Sequence, residues 1–195
     1  MTTDVLPMTI YCAVMSITPG PNNMMLTAAG ARFGYRGTLP QISGILVGAF
    51  VMTVASCLGL GALFVAWPPA QAFLRIGGAL YLAWLAWRLC GVRVDEATLR
   101  QPLSFTEGAL FQVVNPKGWI KAVTLGSAFM PSGLEPAGAA LLVSSVGLVV
   151  GFPCISAWAL FGMGIRRFLH DPATLRAFNL AMGGTLLVLA VSLLR

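Results

Sequence analysis

The sequence predicts an all-α integral membrane fold, with six transmembrane helices arranged as two inverted three-helix repeats and with helices 1 and 4 broken at proline motifs. Three observations carry this expectation. Of the 195 residues, 57% are hydrophobic and only 9% charged, and the mean hydropathy is +0.84, whereas soluble domains carry about 25% charged residues. The apolar runs are long and do not alternate, which favours helices over the roughly 10-residue alternating strands of an outer-membrane barrel. Two of the runs are interrupted in matching places, at Thr18-Pro19-Gly20-Pro21-Asn22-Asn23 and at Asn115-Pro116-Lys117-Gly118, the pattern of a transporter built from internal repeats.

The first span is expected over Val5–Ala29, longer than the ~20 apolar residues that cross a bilayer. Pro19 and Pro21 lack N–H groups, so the carbonyls of Met15 and Ile17 lose their helical partners. Unpaired backbone at membrane depth persists only where protein or a wet cavity covers it, and a binding site is therefore expected there. The second span is expected over Leu39–Ala66, with Pro40 near its start. After the turn Trp67-Pro68-Pro69 comes a third over Ala70–Leu89. The fourth, carrying the second break, is expected over Phe105–Met130, the fifth over Ala137–Gly164 and the sixth over Thr174–Leu194. The polar stretch 91–104 divides a first repeat, 1–90, from a second, 105–195. Three spans per half is odd, so the halves take opposite orientations. Ile76-Gly77-Gly78-Ala79-Leu80 and Met182-Gly183-Gly184-Thr185-Leu186 are a weak match between them. No basic segment precedes the first run, where Asp4 stands instead, so that span is expected to be retained, not cleaved.

The net charge of +6 is not a nucleic-acid footprint. The basic residues scatter among membrane-face loops, where anionic lipid headgroups account for them, and no nucleic-acid partner is expected. Arg32, Arg36, Arg88, Arg93, Arg100, Arg166, Arg167 and Arg176 fall in loops 1, 3 and 5, against Arg75 and Arg195 on the opposite side. The positive-inside rule places those loops in the cytoplasm and both termini outside it. Cys12, Cys57, Cys90 and Cys154 form no C-x-x-C pair and read as small buried apolar residues. No cofactor or metal is expected. The sole histidine, His170, lies in a basic loop, and no metal-ligand cluster, nucleophile–base set or phosphate-binding loop is present, so an enzyme is not expected.

Lys117 lies about a dozen residues into the fourth span, ~18 Å deep at 1.5 Å per residue. A lysine at that depth costs ~2.5–3.5 kcal/mol and faces a cavity or a partner. No Asp or Glu lies in the interior of any span, so an anionic group of the substrate is expected to meet Lys117, with Lys121 one turn on sharing the cavity. Asn22 and Asn23 open the second half-helix, whose free N–H groups and positive dipole end suit a carboxylate. The freed carbonyls of Met15 and Ile17 suit an ammonium, and Asn115 reads as the matching cap in the other half. The expected substrate-binding set is Pro19, Gly20, Pro21, Asn22, Asn23, Asn115, Pro116, Lys117 and Lys121, and the ligand it fits is an amino acid. Gly44-x-x-x-Gly48 and Gly147-x-x-x-Gly151 read as close-packing devices, which also permit a homodimer. Tyr81, Trp84, Trp87, Trp119 and Trp158 are candidates for a side-chain pocket, or else interfacial and core residues.

These residues have a family likeness. Thr18-Pro19-Gly20-Pro21-Asn22, then Gly30-Ala31-Arg32-x-Gly34-x-x-Gly37 and Gly44-x-x-x-Gly48, resembles the first third of the lysine exporter (LysE/RhtB) family. Gly77-Gly78-Ala79-Leu80-Tyr81-Leu82 resembles its third span, and Gly108-x-x-x-Gln112-x-x-Asn115-Pro116-Lys117 its fourth. Tyr81-Leu82-Ala83-Trp84-Leu85-Ala86-Trp87-Arg88 and Trp158-Ala159-Leu160 are similar to the cysteine/O-acetylserine exporter branch. The resemblance implies a multi-pass, six-helix exporter of amino acids or their derivatives in the bacterial inner membrane, with both termini periplasmic. Pro19, Gly20, Pro21, Asn22, Asn115, Pro116 and Lys117 stand at its motif positions. The family also contains lysine, homoserine, threonine and leucine exporters; without an acid in the site, a small neutral substrate is favoured over a cationic one. Alternating access driven by inward protons is the expected mechanism. The rival readings are a metal or small-ion exporter using Cys and Met, and a non-transporting membrane subunit whose prolines are only kinks.

Overall fold

The computed structural model describes residues 5–60, 68–90, 102–166, 168 and 171–194. Most of the 91–104 linker lies outside the described residues, as do 61–66, Trp67, Asp4, Arg93, Arg100, Arg167, His170, Arg195 and the side chains of Arg75, Arg88 and Cys90. The described chain is helical: α1 (Val5–Ile17), α2 (Pro21–Ala55), a π-helical turn (Ser56–Leu60), α3 (Pro68–Cys90), α4 (Phe105–Val114), α5 (Pro116–Ala128), α6 (Pro136–Ile165) and α7 (Pro172–Leu194).

Local chemistry sets the helix starts. Proline opens α2, α5 and α6 at the first turn, where its missing N–H has no intrahelical partner to lose and its φ is already helical. A capping box starts α4: Ser104 Oγ accepts from Glu107 N at 3.2 Å, and Glu107 Oε2 accepts from Ser104 N at 2.8 Å. Asp171 Oδ2 starts α7 by accepting from Thr174 N at 2.8 Å and Thr174 Oγ1 at 2.7 Å.

Both proline motifs interrupt their helices. The first separates α1 from α2, and the second separates α4 from α5 at Asn115, whose φ of -86° and ψ of 107° are extended. The connection between Ala29 and Leu39 is tighter than expected. The helical pattern runs through it with one interruption, Gly34 at φ 73° and ψ 173°, a conformation essentially confined to glycine. The chain doubles back there: Leu26, Ile42 and Ile45 share one cluster with Ile155 and Ala159, although Leu26 and Ile42 would lie ~24 Å apart on a straight helix.

Large apolar side chains cover the outside, and polar side chains are buried beside an apolar core. Leu6 (66% exposed), Leu80 (67%), Trp87 (72%), Val149 (68%) and Val188 (68%) face outward, while Gln41, Gln112, Thr38 and Ser144 are at most 1% exposed. Apolar side chains outside and amides and hydroxyls inside suit hydrocarbon as the solvent. Pro136–Ile165 is long and apolar enough to cross a membrane, and Pro21–Gly59 passes the same test of length and composition although Gly34 folds it into two arms.

The main packing is of α2 on α6 and α4, and of α3 on α7. Gly30 abuts the Ala159 carbonyl and Gly162 abuts the Thr27 carbonyl, so closely that a Cβ on either would overlap backbone. Gly44 and Gly48 bring α2 against the backbone of Phe105 and Ala109 in the same way. The other small-residue pair behaves differently from expectation. The nearest neighbours of Gly147 and Gly151 are side chains, among them Cys12 and Ser16, and both glycines open space for a cavity instead of closing a helix contact.

Candidate functional site

The first break is held together by side chains. Asn23 Nδ2 folds back to donate to Ser16 O at 2.9 Å and Thr18 O at 2.8 Å, capping the end of α1. Trp158 Nε1, from α6, donates to Ile17 O at 3.0 Å. Two expectations are corrected here. The Ile17 carbonyl is already taken by an indole, and Asn23 serves the end of α1 instead of the start of α2. The start of α2 has no side-chain cap; Gly20 stands at the N-cap position.

Lys117 completes the joint. Its Nζ donates to Thr18 O at 2.7 Å, Thr18 Oγ1 at 2.8 Å and Pro19 O at 3.1 Å. An ammonium has three N–H donors, and these are all used. The acceptors lie at a helix C-terminus, where the dipole favours a cation. No carboxylate meets Lys117; neutral oxygens at the first break are its partners. Gly20 provides the passage. A Cβ there would lie 3.0 Å from Lys117 Cδ and 3.3 Å from Nζ. Its extended φ of -178° is open to any residue, so space and not backbone freedom selects glycine.

The second break is tied to the first by amides. Asn22 Nδ2 donates to Gln112 Oε1 at 3.0 Å, Gln112 Nε2 donates back to Asn22 Oδ1 at 3.1 Å, and Gln112 Nε2 also reaches Gly108 O at 3.0 Å. Asn115 makes no side-chain cap, contrary to expectation. Its Nδ2 is 3.5 Å from Gln112 Oε1, and its buried Oδ1 has no hydrogen-bond partner among the described residues.

A cavity of about 70 Å³ lies between the breaks. One water needs ~10–15 Å³ in the same measure, so roughly five to seven atoms of water size fit. Gly20, Pro21, Asn22, Asn23, Asn115, Lys117 and Lys121 all line it. Pro19 and Pro116 do not; they make the breaks, and Pro19 contributes its carbonyl to Lys117. Lys121 Nζ donates to Ser16 Oγ at 2.9 Å, and Ser144 presents a buried hydroxyl with no partner among the described residues. The apolar wall includes Ile45, Leu46, Phe50, Leu148 and Ile155.

None of the aromatic candidates lines the cavity. Tyr81 packs at a tilt on Phe111, 5.0 Å between ring centroids, Trp84 and Trp87 face outward, Trp119 Nε1 donates to Val113 O at 2.8 Å, and Trp158 serves the first break. Aliphatic side chains and Phe50 from α2 and α6 form that wall. Gln112, Ser16, Thr18 and Ser144 also belong to the site but were missing from the sequence-derived set. Gln112 and Thr18 stand within the quoted motifs; Ser16 and Ser144 carry no sequence signal that separates them from other hydroxyls in apolar helices.

The LysE type translocator family model matches residues 13–195. Among curated relatives, a cysteine/O-acetylserine efflux protein of Escherichia coli strain K12 is 29% identical over 187 residues, covering 93% of this chain and 92% of the relative. A protein of the same description from Shigella flexneri serotype 5b has the same identity and coverage. No solved structure matches the chain.

Proposed function

We propose, from the premise that this chain belongs to the LysE type translocator family, that it is a secondary active exporter of small neutral amino acids or their derivatives, of the cysteine, O-acetylserine, homoserine or threonine kind. One observation carries the substrate class: the cavity between the broken helices is lined by two ammonium groups, amides and hydroxyls, with aliphatic walls and no carboxylate among its lining residues. Donors and acceptors for a zwitterion are present, and a counter-ion for a cationic side chain is not. The relatives named as cysteine/O-acetylserine efflux proteins support the same class.

Alternating access between two inverted halves is the mechanism this reading adopts. The pairing of break with break through Asn22 and Gln112, and of α3 with α7, supports a two-fold relation about the cavity. Lys117 and Gly20 each follow a break proline and lie against one another, as residues beside such an axis would. The three arginine-bearing loops are assigned to the cytoplasm of a bacterial inner membrane. Inward protons drive export in this scheme. One proton moving through 100 mV supplies ~2.3 kcal/mol, enough for a gradient of roughly 50-fold.

The test is uptake of a labelled amino-acid panel into liposomes carrying the purified protein, with and without a pH gradient. Accumulation of small neutral amino acids that rises with the gradient is expected. Transport restricted to lysine or arginine, or to none of the panel, overturns the assignment.

A further inference from the structure

We infer that the two lysines of the cavity have separate tasks: Lys121, with Ser144, receives the carboxylate of the transported amino acid, while Lys117 is a strut that joins the two broken helices. This deepens the exporter reading and rests on it. Lys117 Nζ has each of its three donors placed on a backbone or hydroxyl oxygen of Thr18 and Pro19. A carboxylate could reach that ammonium only by displacing one of those bonds. Lys121 Nζ has one partner among the described residues, Ser16 Oγ at 2.9 Å, which leaves two donors for a guest.

The second observation is independent of the first. Ser144, on α6, is 1% exposed, lines the same cavity, and has an Oγ with no hydrogen-bond partner among the described residues. A buried hydroxyl without a partner costs free energy that a bound acceptor would recover. Asn115 Oδ1 is unpartnered in the same cavity, and it is an acceptor. Ammonium and hydroxyl donors from Lys121 and Ser144, with an amide oxygen from Asn115, match the carboxylate and ammonium of a zwitterion. Lys117 and the thiols of Cys12 and Cys154 are the ionisable neighbours of Lys121; with no acidic residue among the cavity's lining residues, no carboxylate of the lining competes with the guest for its charge.

The test compares binding of L-cysteine and L-cysteinamide to the purified protein by calorimetry under reducing conditions. A wild-type preference for the acid of about 10- to 100-fold is expected, the range of one or two charge-assisted hydrogen bonds. Lys121→Met should bring acid and amide within about 3-fold of each other, and Ser144→Ala should cut the preference by about 3- to 10-fold. Lys117→Met should keep the preference even if both ligands bind more weakly. If Lys121→Met retains the full preference, or if Lys117→Met abolishes it while Lys121→Met does not, the division of tasks is wrong. Should Lys121→Met fail to purify as a monodisperse protein, Ser144→Ala decides, and an unchanged ratio there overturns the proposal. Absence of wild-type binding to either ligand and to every other amino acid in the transport panel would instead remove the exporter reading, and this inference with it.

Discussion

Replacing Lys117 with methionine removes the strut while keeping most of the stem's volume. The three contacts, at 2.7, 2.8 and 3.1 Å, are charge-assisted, and at ~1.5–3 kcal/mol each they amount to roughly 5–9 kcal/mol. Against this, a charge leaves the membrane interior, which returns ~2.5–3.5 kcal/mol. Most of the oxygens left behind are not orphaned. Thr18 O keeps Asn23 Nδ2, and Thr18 Oγ1 keeps its own bond to Val14 O at 2.8 Å. The net expectation is a loss of ~2–6 kcal/mol concentrated at the joint. The α2–α6 and α3–α7 packing does not involve the Lys117 side chain. Lys117→Met should therefore insert and purify as a folded protein, yet export from cells or liposomes should fall to background. Insertion is measured by protease protection and gel filtration, and export by efflux of labelled substrate. A variant that exports at the wild-type rate would refute the reasoning, and with it the view that the proline breaks are more than kinks.

Gly162→Ala places a Cβ against the Thr27 carbonyl and should cost ~1–3 kcal/mol through overpacking, read as a lower melting temperature in detergent; an unchanged midpoint would show that α2 and α6 are not so close. Gly34→Ala meets no atom within 4 Å but must adopt φ 73°, so a loss of ~1–3 kcal/mol from strain alone is expected. Trp158→Phe keeps the ring and loses the bond to Ile17 O, and should destabilise by ~0.5–1.5 kcal/mol with a matching rise in sensitivity to heat. Asp171 is held below the ordinary 3.8 first by the Thr174 hydroxyl and then by backbone N–H groups. Its folded-state value is depressed, so its contribution is full above pH 3.8 and is lost as pH falls through the lower, folded value. Amide exchange at the first turn of α7, relative to its intrinsic rate at each pH, should quicken as pH falls below 3.8, and Asp171→Asn should flatten the response.

The elements that were legible in the sequence are those with a local cause. Proline removes a helical hydrogen bond, and Pro19 and Pro116 mark both breaks, although Pro40 and Pro153 lie inside helices; long apolar runs mark α6 and α7 to within a few residues. Arg32 and Arg36 suggest a long polar loop after Ala29, while the turn is made by the backbone of Gly34 alone. Lys117 was found from its depth, but its partners lie in the other half of the chain, on Thr18 and Pro19. No spacing rule links positions so far apart. Ser144 was missed because a serine in an apolar helix has many uses, and only its neighbours in space distinguish this one. The glycine pairs show the same limit: Gly44 and Gly48 touch backbone, Gly147 and Gly151 do not, and the two patterns read alike.

The turn at Gly34 has one further consequence. Its two arms carry different parts of the cavity lining: Pro21, Asn22 and Asn23 come before it, and Ile45, Ala49 and Thr53 after it. Leu26 on one arm and Ile42 and Ile45 on the other share a cluster with Ile155 and Ala159 of α6. A displacement of α6 therefore reaches the chamber's lining on both arms.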